Sequence, residues 1–251
     1  MEVANIIVML AIGIFGGFIS GLVGIGGAII VYPAILILPQ VFGLDGYTAF
    51  VASGLTASQV FFSTLSGSIK ARKQPEFSLP LIIYMGGGMV AGSTFDAIIA
   101  DSFNAAFINH VYIVIAILAL ILMLFKVKPT ADSKPLNRGL IMIVGGIIGM
   151  ISGIVGTGGA FIIIPVLLAL FKLPMNMVVT NSIVLAFVSS VGAFIIKWLQ
   201  GYIPVMDALL LFIGSIVFAP IGLRLGRHLP NSVQKWIISI LIIVAITQLL
   251  G

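Results

Sequence analysis

Ten apolar stretches separated by short linkers occupy most of this chain and constrain what it can fold into. They cover residues 3–22, 27–42, 47–69, 78–99, 104–125, 139–155, 159–171, 176–199, 204–223 and 234–250. Most reach about 20 residues, which is enough for a helix to cross a hydrocarbon core of about 30 Å, and their apolar positions do not alternate as in a strand. With 61% hydrophobic and 8% charged residues, the chain has more apolar surface than a soluble domain buries. The sequence therefore predicts an all-α polytopic membrane protein.

A glycine-rich motif occurs twice, 132 residues apart. Residues 17–36 read GFISGLVGIGGAIIVYPAIL and residues 149–168 read GMISGIVGTGGAFIIIPVLL, and twelve of the twenty positions are identical. This agreement indicates an internal duplication. We therefore predict a first transmembrane repeat at 1–125, a polar cytoplasmic linker at 126–138 and a second transmembrane repeat at 139–251.

The distribution of charge indicates that the two repeats are inverted. If each glycine-centred pair of segments crosses the membrane an even number of times, eleven of the twelve Lys and Arg residues fall on one side, and Lys197 is the exception. Because Lys and Arg collect in cytoplasmic loops, we adopt the even count, which places both termini outside. It leaves open whether the glycine segments are full spans or re-entrant hairpins. Each repeat is then a glycine-broken helical hairpin plus about three transmembrane helices, and inverted repeats are typical of transporters.

The two glycine clusters predict a binding site. Such clusters break a helix inside the membrane, where irregular backbone must line a cavity or be packed in protein. A helix that restarts near Gly27 or Gly159 exposes unpaired N–H groups and a partial positive charge, so two such ends would form an uncharged anion cradle near the midplane. Carbonyl groups at the breaks can bind cations instead. The predicted substrate-binding residues are Ser20, Gly24, Gly26, Gly27, Ser53, Gln59, Ser152, Gly156, Thr157, Gly158, Gly159 and Asn181.

Some of the prominent residues have structural alternatives. Gln59 and Asn181 are costly to bury and could serve either the pathway or hydrogen bonds between helices. Lys197 either snorkels to the outer interface or attracts an anion at the outer mouth. A further set of glycines is spaced four apart, and we assign it to close helix packing: Gly13, Gly17, Gly21, Gly145, Gly149 and Gly153. The sequence contains no nucleophile–base motif, ATPase motif or metal-ligand motif, so it predicts neither an enzyme nor a metal or other cofactor.

The doubled G-x-x-G-x-G-G-A motif, followed each time by a proline and a helix rich in Ser and Thr, resembles the TauE/SafE sulfite exporter family of the toluene sulfonate uptake permease superfamily. The resemblance covers essentially the whole chain. It implies a secondary transporter or facilitator of a small sulfur-containing oxyanion, such as sulfite or an organosulfonate, in the plasma (inner) membrane of a bacterium or archaeon. The residues that match the family motif are Gly24, Gly26, Gly27 and Pro33 in the first copy and Gly156, Gly158, Gly159 and Pro165 in the second.

The direction of transport and the class of solute are separate questions. We expect export, because efflux of an anion driven by the membrane potential needs no proton-carrying carboxylate within the bilayer. The alternative is transport of a different small solute, a metal cation or a neutral metabolite, on the same inverted-repeat scaffold. The expected partners are the small anion and membrane lipid, with no nucleic acid, and homo-oligomer formation stays open.

Overall fold

The computed structural model describes residues 3–24, 26–99, 104–124, 137–155, 159–226 and 228–250. In these ranges the chain forms helices and no strand, which confirms the predicted all-α class. The predicted first repeat contains α1 (Val3–Val23), α2 (Ala28–Val41), α3 (Ala49–Ala71), α4 (79–99) and α5 (Ala105–Leu124). The predicted second repeat contains α6 (Arg138–Val155), α7 (Ala160–Ala169), α8 (Met175–Leu199), α9 (Val205–Gly226) and α10 (Asn231–Leu250). Of the predicted linker at 126–138, only residues 137 and 138 lie within the described ranges.

Among the described residues, four helices are long and apolar enough to cross a membrane: Val3–Val23, Ala106–Met123, Met175–Leu199 and Val205–Gly226. In the same part of the chain, four further apolar helices are shorter: Ala28–Val41, Leu79–Phe95, Arg138–Ile151 and Ser232–Thr247. Many large apolar side chains lie exposed on the outside of the bundle, among them Phe15, Val114 and Ile143. An apolar exterior of this kind is stable only against lipid, so the chain is an integral membrane protein.

Helix α3 is long but polar, and the protein places it in its interior. Its 23 residues include seven polar side chains that are all buried: Ser53, Thr56, Ser58, Gln59, Ser63, Thr64 and Ser68. Facing lipid, these groups would have no partners other than their own helix backbone. Helix α8 packs along α3, and α9 and α2 pack beside it. The polar residues of α3 are therefore held between helices rather than at the lipid surface.

Glycines bring two pairs of helices into backbone contact, α1 with α9 and α4 with α6. A Cβ atom built at Gly17 would lie 2.5 Å from the Cα atom of Ser215 on α9. On the other pair, a Cβ atom at Gly88 would lie 2.9 Å from the backbone nitrogen of Gly146. The predicted packing role is confirmed for Gly13, Gly17, Gly21, Gly145 and Gly149, each of which faces the backbone of a neighbouring helix.

The two ends of the bundle differ in charge. At one end, which we call the cation-rich face, the last turns of α1, α3 and α9 meet the first turns of α8 and α10 around one cavity. The described cations that lie in or next to these turns are Lys70, Arg72, Lys73, Lys172, Arg224 and Lys235. At the opposite face, the first turns of α1 and α9 meet the loop before α3 through Asn5, Tyr47 and Asp207.

Candidate functional site

The first glycine segment ends α1 at Val23 and starts α2 at Ala28 inside the bundle. Gly24, Gly26 and Gly27 have φ values of 77°, 70° and 75°, a left-handed conformation that glycine adopts without the penalty other residues incur. Gly27 is the N-cap of α2, and no side chain caps the helix there. The N–H groups of the first turn of α2 therefore lack the side-chain acceptor that usually satisfies a helix start.

The second glycine segment repeats this arrangement at the start of α7. Gly159 is the N-cap, has a φ of 70° and again provides no side-chain cap. Gly156, Thr157 and Gly158 lie outside the described residues, as does the side chain of Ser152. Within the described residues, α2 and α7 therefore each have an N-cap glycine with left-handed backbone.

A buried line of serines connects α1 and α3 to the first glycine segment. Ser20 Oγ donates a hydrogen bond to Ser63 Oγ at 3.0 Å, and Ser63 Oγ lies 3.4 Å from the carbonyl oxygen of Gly26. From the second repeat, Ser182 Oγ donates to the carbonyl oxygen of Gly24 at 2.9 Å. Helices α3 and α8 therefore contribute hydroxyl groups to this segment. Ser63 and Ser182 are not among the predicted site residues, because their place at the glycine segment depends on which helices pack together.

Gln59 lies one helical turn before Ser63 and is fully buried. Its Nε2 donates a hydrogen bond to Ser215 Oγ on α9 at 3.3 Å, while its Oε1 has no hydrogen-bond partner among the described residues. The amide fills the space between α1 and the start of α2, since a Cβ atom at Gly16 or at Gly27 would lie 3.2 Å from Nε2. An unsatisfied buried acceptor costs about 1–3 kcal/mol. Of the predicted residues on α3, Gln59 lies at the glycine segment, whereas Ser53 is buried six residues earlier on the helix.

Asn181 anchors a loop rather than facing the glycine segment. Its Nδ2 donates to the carbonyl oxygens of Glu76 at 2.8 Å and Met177 at 2.7 Å, and its Oδ1 accepts from the backbone nitrogen of Ser78 at 2.8 Å. The bonds to Glu76 and Ser78 fasten the loop between α3 and α4 to α8, and the bond to Met177 lies within α8. A role for Asn181 in the transport pathway stays a prediction.

Replacing Asn181 with alanine is expected to lower the free energy of unfolding by about 2–3 kcal/mol, because three hydrogen bonds of about 1 kcal/mol each are lost. The measurement is chemical unfolding of the purified protein in detergent. Asn176→Ala is the matched control: Asn176 lies on the same helix, is exposed, and makes no side-chain hydrogen bond within the described ranges. The control should change stability by less than about 0.5 kcal/mol. Equal losses in both variants would contradict the anchoring role.

Lys197 lies inside the protein near the end of α8. Its side chain is fully buried, and its ammonium nitrogen lies over the ring of Tyr202, 5.5 Å from the ring centroid, in a cation–π contact. The ammonium does not reach the surface, so the snorkelling alternative is wrong. The attraction of an anion by Lys197 stays a prediction.

A cavity of about 460 Å³ opens at the cation-rich face. Its wall includes Gly21 and Leu22 from the last turns of α1, together with Val179 and Thr180 from α8. The Val179 carbonyl oxygen lies 3.0 Å from the position of a Cβ atom at Gly24, so this wall adjoins the first glycine segment. The remaining lining residues are Ala71, Gln74, Glu76, Asn176, Ile183, Leu223, Gly226, Leu229, Pro230 and Gln234. The cavity therefore leads from the cation-rich face toward the first glycine segment.

A small polar cluster lies at the opposite face, beside a cavity of about 300 Å³ that Asn5 and Tyr47 line. Asn5 Nδ2 donates to Asp207 Oδ1 at 3.2 Å, and Tyr47 Oη donates to Asn5 Oδ1 at 3.4 Å. Burial, together with the nearby Asp207 carboxylate, raises the pKa of Tyr47 to about 12. The phenol therefore stays protonated at neutral pH and keeps donating its hydrogen bond. The cluster ties the first turns of α1 and α9 to the loop before α3.

The bundle faces lipid, short helices start in its interior, and a polar cavity leads toward one of these starts. These features are typical of a membrane transporter. The family model "Sulfite exporter TauE/SafE" matches residues 9–249, and the chain belongs to this family. It is similar to "Probable membrane transporter protein YunE" of Bacillus subtilis, with 23% identity over 98% of this chain and 97% of the relative. A "Probable membrane transporter protein" of Methanocaldococcus jannaschii is 24% identical over 96% of this chain and 94% of its own length. No solved structure matches the chain.

Proposed function

We propose that this protein is a secondary transporter that exports a small sulfur-containing oxyanion, such as sulfite or an organosulfonate. The anion binds near the membrane midplane between two inverted, glycine-rich helix starts. The observation that carries the proposal is the start of α2, an uncapped helix N-terminus beside the buried hydroxyls of Ser20 and Ser63. Helix dipoles and backbone N–H groups stabilise an anion there without a cationic side chain.

The directions of the helices support an inverted repeat. Gly13 faces Leu211 and Gly21 faces Leu223, so α1 and α9 run parallel. Likewise, Gly88 on α4 faces Met142 and Gly146 on α6, and Gly92, four residues later, faces Gly146 and Met150. Helices α4 and α6 therefore also run parallel. Helices α1 and α3 both end at the cation-rich face, and α4 returns from it. Helix α6 therefore runs opposite to α1, as alternating access between two inverted halves requires.

The cavity supports export as the direction of transport. Cytoplasmic faces of membrane proteins carry an excess of Lys and Arg, so we assign the cation-rich face to the cytoplasm and both termini to the outside of a plasma membrane. The cavity then opens to the cytoplasm and approaches the glycine segment from that side. A substrate loaded in this state comes from the cytoplasm.

The proposal is tested with purified protein in liposomes loaded with labelled sulfite or ethanesulfonate. Efflux should saturate with concentration, accelerate with an inside-negative potential, and be inhibited by other sulfur oxyanions but not by divalent cations or neutral solutes. Inhibition by metal ions or neutral metabolites alone would contradict an anion site and favour the other solute class. Proton uptake stoichiometric with flux would contradict export driven by the membrane potential.

Ser63→Ala is expected to lower kcat/KM for the anion about fivefold, because loss of one hydrogen bond of about 1 kcal/mol loosens the glycine segment. Ser66→Ala is the matched control on the same helix, since the bond that Ser66 Oγ makes within the described ranges goes to the Ser63 carbonyl of its own helix, at 3.2 Å. Liposome flux is measured for both variants. Equal kcat/KM values in the two variants would exclude the serine line from the site.

A further inference from the structure

From the environment of Gln59 we infer that the transported anion carries a hydrogen-bond donor of its own. The inference rests on the proposed function and narrows its substrate class to monoanions that bear an O–H or N–H group, such as hydrogen sulfite or a hydroxylated sulfonate. Fully substituted or fully deprotonated oxyanions bind less well. Gln59 is then the residue that determines this specificity.

The hydrogen bonds of Ser215 define which end of the Gln59 carboxamide is free. A serine hydroxyl has one proton to donate, and Ser215 Oγ donates it to the carbonyl oxygen of Gly13 at 3.2 Å. Ser215 can therefore only accept from Gln59, which places Nε2 at the 3.3 Å contact. Within the part of the chain that the structure describes, the group left without a partner is Oε1, and it can only accept.

The unpaired Oε1 of Gln59 thus belongs to a carboxamide that lies beside the start of α2. The Gln59 amide packs against Gly27, the N-cap of α2, and the helix start offers N–H donors with no side-chain cap. The oxygens of an anion satisfy the helix start, but they repel the carbonyl oxygen of Gln59 unless one of them carries a proton. A ligand that has both an anionic oxygen and a donor satisfies the helix start and Oε1 at once.

The second repeat has other residue types at the corresponding positions. At the offset of 132 that aligns the glycine motifs, Gly16 corresponds to Ile148, which has a large side chain where the first repeat has none. When Ala52–Leu55 is aligned with Thr180–Ile183, Gln59 corresponds to Phe187, which packs against Phe61 at 5.5 Å. Neither Gly16 nor Gln59 is therefore kept at its aligned position in the second repeat.

The test compares 2-hydroxyethanesulfonate with ethanesulfonate, two monoanions that differ in a single hydroxyl group. Binding to the purified wild-type protein is measured by calorimetry at pH 7, and binding to Gln59→Met and Gln59→Leu in parallel. We expect the wild type to prefer the hydroxylated anion by about tenfold, and both variants to bind the two anions equally. A second experiment measures the binding of sulfite at a pH below and at a pH above its second ionisation, with ethanesulfonate as the control for the effect of pH. It tests whether a protonated inorganic oxyanion is recognised in the same way.

The stability of the unliganded protein separates substrate recognition from a merely structural role. If Oε1 awaits a ligand, Gln59→Met unfolds at the same or a higher denaturant concentration than the wild type, because an unsatisfied acceptor has been removed. A clear loss of stability, or equal wild-type affinity for both sulfonates, would overturn the inference while leaving anion transport intact. Failure of every anion to bind would overturn the proposed function together with it.

Discussion

Gly88→Ala should destabilise the protein by about 3 kcal/mol, at the upper end of the usual cost of overpacking. The added methyl group would overlap the carbonyl oxygen of Met142 and lie 2.9 Å from the backbone nitrogen of Gly146. Both contacts are with backbone atoms of α6, which cannot rotate away as a side chain can. The two helices must separate, and the neighbouring contact at Gly92 would be lost with them.

The adjacent glycine provides the control for this prediction. A Cβ atom at Gly87 would meet no heavy atom within 4 Å, so Gly87→Ala should be neutral or should stabilise the helix by up to about 1 kcal/mol. Both variants are unfolded in the same detergent, and the midpoints are compared. If the two substitutions change stability equally, the close approach of α4 and α6 does not contribute to stability. The assignment of the spaced glycines to close helix packing would then be wrong.

The positions of the helices could be predicted from the sequence, but their partners could not. Each apolar stretch became one helix, with ends that differ by a few residues, as at 104–125 against Ala105–Leu124, because length and hydropathy alone decide where a membrane helix forms. Glycines spaced four apart show that a helix packs closely, but not against which neighbour. The π-helical turn Ile82–Gly86 within α4 has no hydropathy signal at all.

The candidate site could be predicted only in part, because local sequence indicates its glycines but not the helices that pack against them. The glycine segment follows from local sequence, because left-handed backbone requires glycine. The partners of Gln59 and Ser20 come from helices distant in sequence, so periodicity does not reveal Ser63 or Ser215. Lys197 is the clearest case, since a lysine near a helix end favours snorkelling, and only the packing of Tyr202 shows that the ammonium is buried.

Gly27→Ala is expected to remove both stability and the response to anions. Gly27 has a φ of 75°, and alanine in this left-handed conformation costs about 1–2 kcal/mol. In addition, the methyl group would overlap the carbonyl oxygen of Gly16 and lie 3.2 Å from Gln59 Nε2. The start of α2 would have to move away from α1 and α3, which separates its N–H groups from the serine line and from Gln59.

Gly43→Ala separates the backbone strain from the contact. Gly43 has a φ of 72°, so alanine meets the same conformational cost, but a Cβ atom there would meet no heavy atom within 4 Å. We therefore expect Gly43→Ala to lose about 1–2 kcal/mol and to keep full anion transport. Gly27→Ala should lose at least twice as much stability and, where folded protein is recovered, show no thermal stabilisation by sulfite or 2-hydroxyethanesulfonate. A Gly27→Ala protein that matches Gly43→Ala in stability and still responds to both anions would place the binding site away from the start of α2, because only the contact distinguishes the two substitutions.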